Sequence, residues 1–339
     1  MLFVKYFLQG GVAAASSEII YKMKCLCVLT VVFMHSSVSH LVPQTHIPII
    51  EGIKTFLGNY ATINILFALS GYFFFYKVKG FSIELYKAKI LKRLRTLLIP
   101  YLLFCIFGFV FAYTIGDFEF SSFSSLIQKI FWGTPIIEGH PTGRAMWFIR
   151  NLIIFSLLSP IYYIIIRIFE HFTLLVCLVI SLPFTGVQYD YPFFNVYLLF
   201  GAYLAIYNIS FEKLYNKVGM AIPFVLMLLI CSIDVLTGWF THPDLITTCI
   251  FFFALYGLCS KMKINQFVVA STTFTYMAHM YITSILRNSF IALFPKLLVF
   301  EIIAYFLTWM IGIIVCVGIY KLLKTYAPRF LGILVGGRV

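Results

Sequence analysis

Lys24-Cys-Leu-Cys-Val-Leu-Thr-Val-Val-Phe-Met-His35-Ser-Ser is the stretch that decides how this chain folds. One cation opens it, one titratable ring closes it, and no charge lies between them. Similar apolar runs recur down the chain, which reads as helices in a bilayer and not as the core of a soluble domain. The composition agrees: of 339 residues, 62% are hydrophobic, 19% aromatic and only 11% charged, with mean hydropathy +0.98. Soluble domains average about half apolar and about a quarter charged, so a water-soluble enzyme is excluded.

Working outward from that stretch, apolar segments of spanning length fall near residues 24–42, 58–76, 96–116, 145–166, 172–187, 193–208, 219–238, 244–260, 266–288 and 298–321. They predict an all-α fold, a polytopic membrane bundle of about ten transmembrane helices. The fifth and sixth are short and are joined by a link from Pro183 to Pro192 that is broken by proline, glycine and aspartate. The expected division is a lead-in at 1–20, one transmembrane domain at 21–325 and a short cytoplasmic tail at 326–339. The lead-in resembles a signal peptide in its Lys5 and its small residues Ala13 to Ser17. Gln9-Gly10-Gly11 interrupts its apolar part, so cleavage is not expected.

The net charge of +13, from 25 Lys and Arg against 12 Asp and Glu, would suggest nucleic acid in a soluble protein. Here its distribution explains it. With the N-terminus in the cytoplasm, Lys54, Lys129, Arg144, Arg150, Arg287 and Lys296 fall outside or in the outer half, and the other nineteen fall inside. That bias orients helical membrane proteins, so both termini are expected inside and no nucleic-acid partner is expected. The densest cations are Lys87, Lys89, Lys92, Arg93 and Arg95, just before Leu-Leu-Ile-Pro100-Tyr101. On the opposite face a loop at 117–144 carries Asp117, Glu119, Glu138, His140 and Arg144, and its length suits part of a substrate mouth. The eight cysteines lie in apolar runs without metal-ligand spacing, which makes them packing residues and leaves no metal site to propose.

Ionisable groups at membrane depth are costly, so each is a candidate for function. His35 lies eleven residues past Lys24, about 16 Å along a helix, so Lys24 sits near one surface while His35 reaches the middle or outer half. An imidazole there can take and return a proton near neutral pH, as activating a hydroxyl requires. The plainer reading is a packing histidine bonded to a backbone carbonyl. Asn64 and Ser70-Gly71 form a second group, in which the small pair lets another backbone approach. Trp147 suits an aromatic belt, which leaves Arg150, three residues deeper, unexplained. His279, with Arg287 two turns on, is a fourth candidate, and Asp234 and Glu301 are further ones.

In their order, these segments resemble the acyltransferase-3 family of polytopic membrane O-acyltransferases. The resemblance rests on Lys24 and His35, on Phe67-Ala-Leu-Ser70-Gly71-Tyr72, and on the basic run from Arg93 to Tyr101. It continues through Trp147-Phe-Ile-Arg150-Asn-Leu with Leu158-Ser-Pro160, Phe200-Gly201-Ala202-Tyr203-Leu204 and His279, and covers about residues 20 to 325. The family's Arg-x-x-Arg has no strict counterpart, since Arg93 and Arg95 are two apart and Lys92 and Arg95 three. The resemblance implies an O-acetyltransferase of a bacterial inner membrane. It would use cytoplasmic acyl-CoA, in the acetyl form, as co-substrate, hold no tightly bound cofactor and acylate a hydroxyl of a cell-surface or lipid-linked glycan. His35 becomes the catalytic residue. Lys24, Lys92, Arg93 and Arg95 become donor-binding residues, with Asn64, Ser70, Trp147, Arg150 and His279 in support. Direct transfer and an acyl-histidine relay both remain open. Expected partners are the lipid bilayer, acyl-CoA, the glycan acceptor, and separate glycan-assembly proteins or a second copy. The alternative is a transporter or flippase of a glycan or acyl-carrying intermediate, which also fits buried polar groups in about ten spans.

Overall fold

A computed structural model describes residues 14–59, 61–78, 80, 82–114, 122–124, 127–128, 145–182, 195–237 and 244–337. Asp117, Glu119, Glu138, His140 and Arg144 of the expected outer loop lie outside the described residues. So do the Pro183 to Pro192 link, residues 1–13, and the topology residues Lys5, Lys79, Lys129 and Arg338.

The described residues form helices joined by turns and contain no strand. In chain order the helices are α1 (Ala14–His35), α2 (Ile47–Leu57), α3 (Ala61–Phe75), α4 (Ile83–Arg93), α5 (Ile99–Thr114), α6 (Met146–Phe169) and α7 (Phe172–Ser181). They continue as α8 (Val196–Ile206), α9 (Phe211–Val218), α10 (Ala221–Thr237), α11 (Leu245–Lys261), α12 (Gln266–Leu293), α13 (Leu298–Tyr326) and α14 (Pro328–Leu334). Each segment expected to span coincides with one of these helices. Among the described residues, four stretches are long and apolar enough to cross a bilayer alone: Glu18–Leu41, Ile83–Thr114, Met146–Phe169 and Leu298–Tyr326. A fifth follows if α9 and α10, bent by 87°, count as one broken span. The helix α1 reaches back to Ala14, so the expected boundary at residue 20 falls inside it.

Local chemistry sets several of the helix ends. Asn195 caps α8 by accepting from the amides of Tyr197 and Leu198, Asp244 caps α11 through Thr247 N, and Ser82 caps α4 through Leu85 N. Asn208, at φ 55, turns the chain out of α8. Thus α8 is only 11 residues long, with all but Phe200 buried. Prolines shape two long helices. Pro160 lies inside α6 and offers no amide to the Ser156 carbonyl, which instead accepts from Ser159 Oγ at 2.8 Å. The neighbouring Leu157 carbonyl accepts from Tyr86 of α4 at 2.8 Å. Pro100 likewise withholds an amide from Thr96, and the chain there widens into a π-helical turn, Leu94–Leu98, that joins α4 to α5.

The most extensive packing is between α3 and α8. A Cβ on Gly71 would run into the Leu198 carbonyl, and one on Gly201 into the Ala68 carbonyl. The backbones therefore meet directly, the close approach expected of Ser70-Gly71. Around this crossing, α1 lies against α12, α11, α3 and α13. Trp309 of α13 donates to the Leu29 carbonyl at 3.0 Å, and Phe33 stacks on Tyr305 at 4.6 Å. The eight cysteines are free, and all but Cys249 are buried. Leu331 and Val335 are fully buried, and a Cβ on Gly336, at φ 64, would run into the Thr96 carbonyl. The C-terminus thus packs on the π-helical turn beside the basic helix α4.

Candidate active site

His35 is the last residue of α1 and is half-buried. The carbonyls at the end of this helix have no partner within it, and Arg287 of α12 supplies one, its Nη1 donating to His35 O at 3.4 Å and to Ser37 O at 3.5 Å. Arg287 thus acts as a cap for α1. The same helix α12 carries His279, which is fully buried, and its ring centroid lies 5.3 Å from that of His35, tilted by 40°. His279 Nδ1 bonds the carbonyls of Tyr276 at 2.6 Å and Thr275 at 3.2 Å. Carbonyls only accept, so Nδ1 carries the hydrogen, and Nε2 of the neutral ring keeps a lone pair. That Nε2 is buried with no hydrogen-bond partner among the described residues.

From this pair a chain of aromatic rings runs into the bundle. Tyr276 lies 5.9 Å from His279, Phe148 of α6 5.5 Å from Tyr276, Phe67 of α3 4.6 Å from Phe148, and Trp147 5.9 Å from Phe67. Tyr276 Oη also donates to Ala145 O at 2.6 Å, which holds the start of α6 against α12. Arg150 is buried one turn deeper in α6.

At the other end of α1 the cations meet aromatic faces. Lys24 Nζ lies 4.7 Å above the ring of Phe73. The next residue, Phe74, takes Arg93 at 5.5 Å and Lys89 at 4.8 Å, and Lys89 also donates to its carbonyl. Lys24 on Phe73, and Lys89 and Arg93 on Phe74, thus make cation–π contacts at the end of α3.

Of the expected site residues, the structure brings His35 against His279, links Trp147 to His279 through intervening aromatic rings, and sets Lys24 and Arg93 against neighbouring residues of α3. Lys92 and Arg95 are exposed. Asn64 Nδ2 donates to Thr248 of α11 at 3.2 Å, and Ser70 Oγ donates to the Leu66 carbonyl of its own helix. Lys89 stood in the sequence only as one of five cations. Its place one helical turn before Arg93, on the same face of α4, was the signal that could have singled it out. The bond between His46 Nδ1 and Glu301 Oε2 at 2.7 Å, with Glu301 buried, had no counterpart in the sequence reading.

An all-helical bundle with helices of membrane length and a pair of ionisable rings, one half-buried and one fully buried, defines an integral membrane protein with an internal polar site. The chain belongs to the acyltransferase-3 family: the family model, described as an acyltransferase domain, matches residues 22–321. It is therefore a membrane acyltransferase. No curated protein and no solved structure matches it.

Proposed function

We propose that the chain is an inner-membrane O-acetyltransferase that moves an acetyl group from cytoplasmic acetyl-CoA to a hydroxyl of a cell-surface or lipid-linked glycan. The observation that carries the reading is that one helix has the aromatic-bound cations at Lys24 and the histidine pair at His35, about 16 Å further along its axis. In this reading the helices form ten spans, with both termini in the cytoplasm. The C-terminal helix supports this by packing beside the same basic segment.

The donor's phosphates bind Lys24, Lys89 and Arg93, and its pantetheine arm follows the bundle towards His35. The neutral His35 imidazole accepts the proton of the acceptor hydroxyl as its oxygen attacks the thioester carbonyl. The tetrahedral intermediate then collapses, the C–S bond breaks, and the CoA thiolate leaves with the proton from His35. Arg150 is the group we assign to the developing negative charge.

The test uses membranes holding equal amounts of the wild-type chain or His35→Ala, supplied with acetyl-CoA labelled in the acetyl group. We expect label and an acetyl's mass on the surface glycan, and a loss of about a hundredfold or more in the variant. Undiminished transfer by His35→Ala sinks the reading. A glycan that changes location but not mass points instead to a flippase.

A further inference from the structure

We propose that His279 is a positioning residue for His35, with its buried Nε2 accepting a hydrogen bond from a ring N–H of His35. The inference rests on the reading of His35 as the base. Four observations carry it. The two ring centroids are 5.3 Å apart, a separation from which side-chain rotation can bring a nitrogen of His35 to His279 Nε2, a bond the structure itself does not show. The Nδ1 hydrogen of His279 is committed to the carbonyls of Tyr276 and Thr275, which fixes the tautomer and leaves Nε2 as an acceptor. His279 is 0% exposed, and Nε2 has no partner among the described residues, which a buried polar atom rarely lacks without a function. Finally, Thr283 Oγ1 bonds the His279 carbonyl and Tyr276 Oη bonds Ala145 O, so the segment carrying the ring is held on both sides.

The chemistry follows from the tautomer. A His35 that gives its N–H to His279 presents its other nitrogen, as a lone pair, to the acceptor hydroxyl. When that nitrogen takes the proton, His35 becomes an imidazolium whose first N–H still points at a neutral acceptor. The charge is thereby held in place until the proton passes to the departing CoA thiolate. No proton or electron is consumed by His279, whose part is to orient the base and stabilise its charged form.

Two variants separate this role from packing. In His279→Asn the amide keeps a donor for the Tyr276 carbonyl and has nothing at the position of Nε2. In His279→Gln an oxygen acceptor stands near that position and the carbonyl bond is lost. Positioning predicts that His279→Asn lowers kcat about a hundredfold with the KM for acetyl-CoA unchanged, and that His279→Gln keeps activity within about tenfold of wild type. A structural role predicts the reverse order, so His279→Asn matching wild type or exceeding His279→Gln overturns the inference. His35→Ala, run alongside, separates the two claims. An inactive His35→Ala with a fully active His279→Asn defeats only the role of His279, whereas an active His35→Ala defeats the assignment of the base. Nitrogen NMR of histidine-labelled wild-type protein needs no variant: a hydrogen-bonded His279 Nε2 is expected, and a free lone pair there overturns the proposal.

Discussion

Gly201 of α8 lies so close to α3 that a Cβ placed on it would run into the Ala68 carbonyl. With Gly71 meeting Leu198 from the other side, two backbones touch at the centre of the bundle. Gly201→Ala must push them apart, which we expect to cost about 1–3 kcal/mol. The thermal melting of the purified protein in detergent reads this directly. Gly318→Ala is the control, because Gly318 has open space around it and alanine suits a helix better by about 0.5–1 kcal/mol. Its melting temperature should match wild type or rise.

Lys24→Ala and Arg93→Ala should each raise the KM for acetyl-CoA about tenfold, the loss of roughly 1.4 kcal/mol of phosphate contact, with kcat nearly unchanged. Arg95→Ala should do less, since Arg95 is exposed while Arg93 is held over Phe74. Initial rates at varied acetyl-CoA decide the order. Added salt should raise KM in the wild type and raise it less in Arg93→Ala.

His46→Ala leaves the Glu301 carboxylate, 2% exposed, without its 2.7 Å partner. A buried acceptor left unmatched costs about 1–3 kcal/mol, so the variant should melt at a lower temperature. His46→Gln, which can still donate, should recover part of the loss. Equal melting of His46→Ala and wild type would show that Glu301 finds another donor.

Ser159→Ala removes the hydroxyl that serves the Ser156 carbonyl below Pro160. We expect a loss of about 0.5–1.5 kcal/mol. The double variant Ser159→Ala with Pro160→Ala should recover it, because the alanine amide restores the helical bond. Melting of the three proteins checks this.

The helices were legible because bilayer-length apolar runs and proline punctuation are local signals, and His35 was legible because a titratable ring in such a run stands out. The site's geometry was not. His279 was visible as a second ionisable residue at depth, but its approach to His35 depends on how α1 and α12 pack, which no local pattern encodes. Of the basic run, Lys92 and Arg95 stood out as readily as Arg93. In the fold Lys89 and Arg93, on one face of α4, lie against Phe74, while Lys92 and Arg95 are exposed. The short α8 was expected from its limited apolar run, yet its burial comes from the glycine crossing and not from its length.

That short helix alters the barrier the protein presents. Eleven residues cover about 16 Å, roughly half of a hydrocarbon layer of about 30 Å. Chain beyond the ends of so short a helix, where it lies within that thickness, keeps its polar groups satisfied only by protein or by water. The crossing at Gly71 and Gly201 therefore holds in place a helix too short to span the layer by its own length.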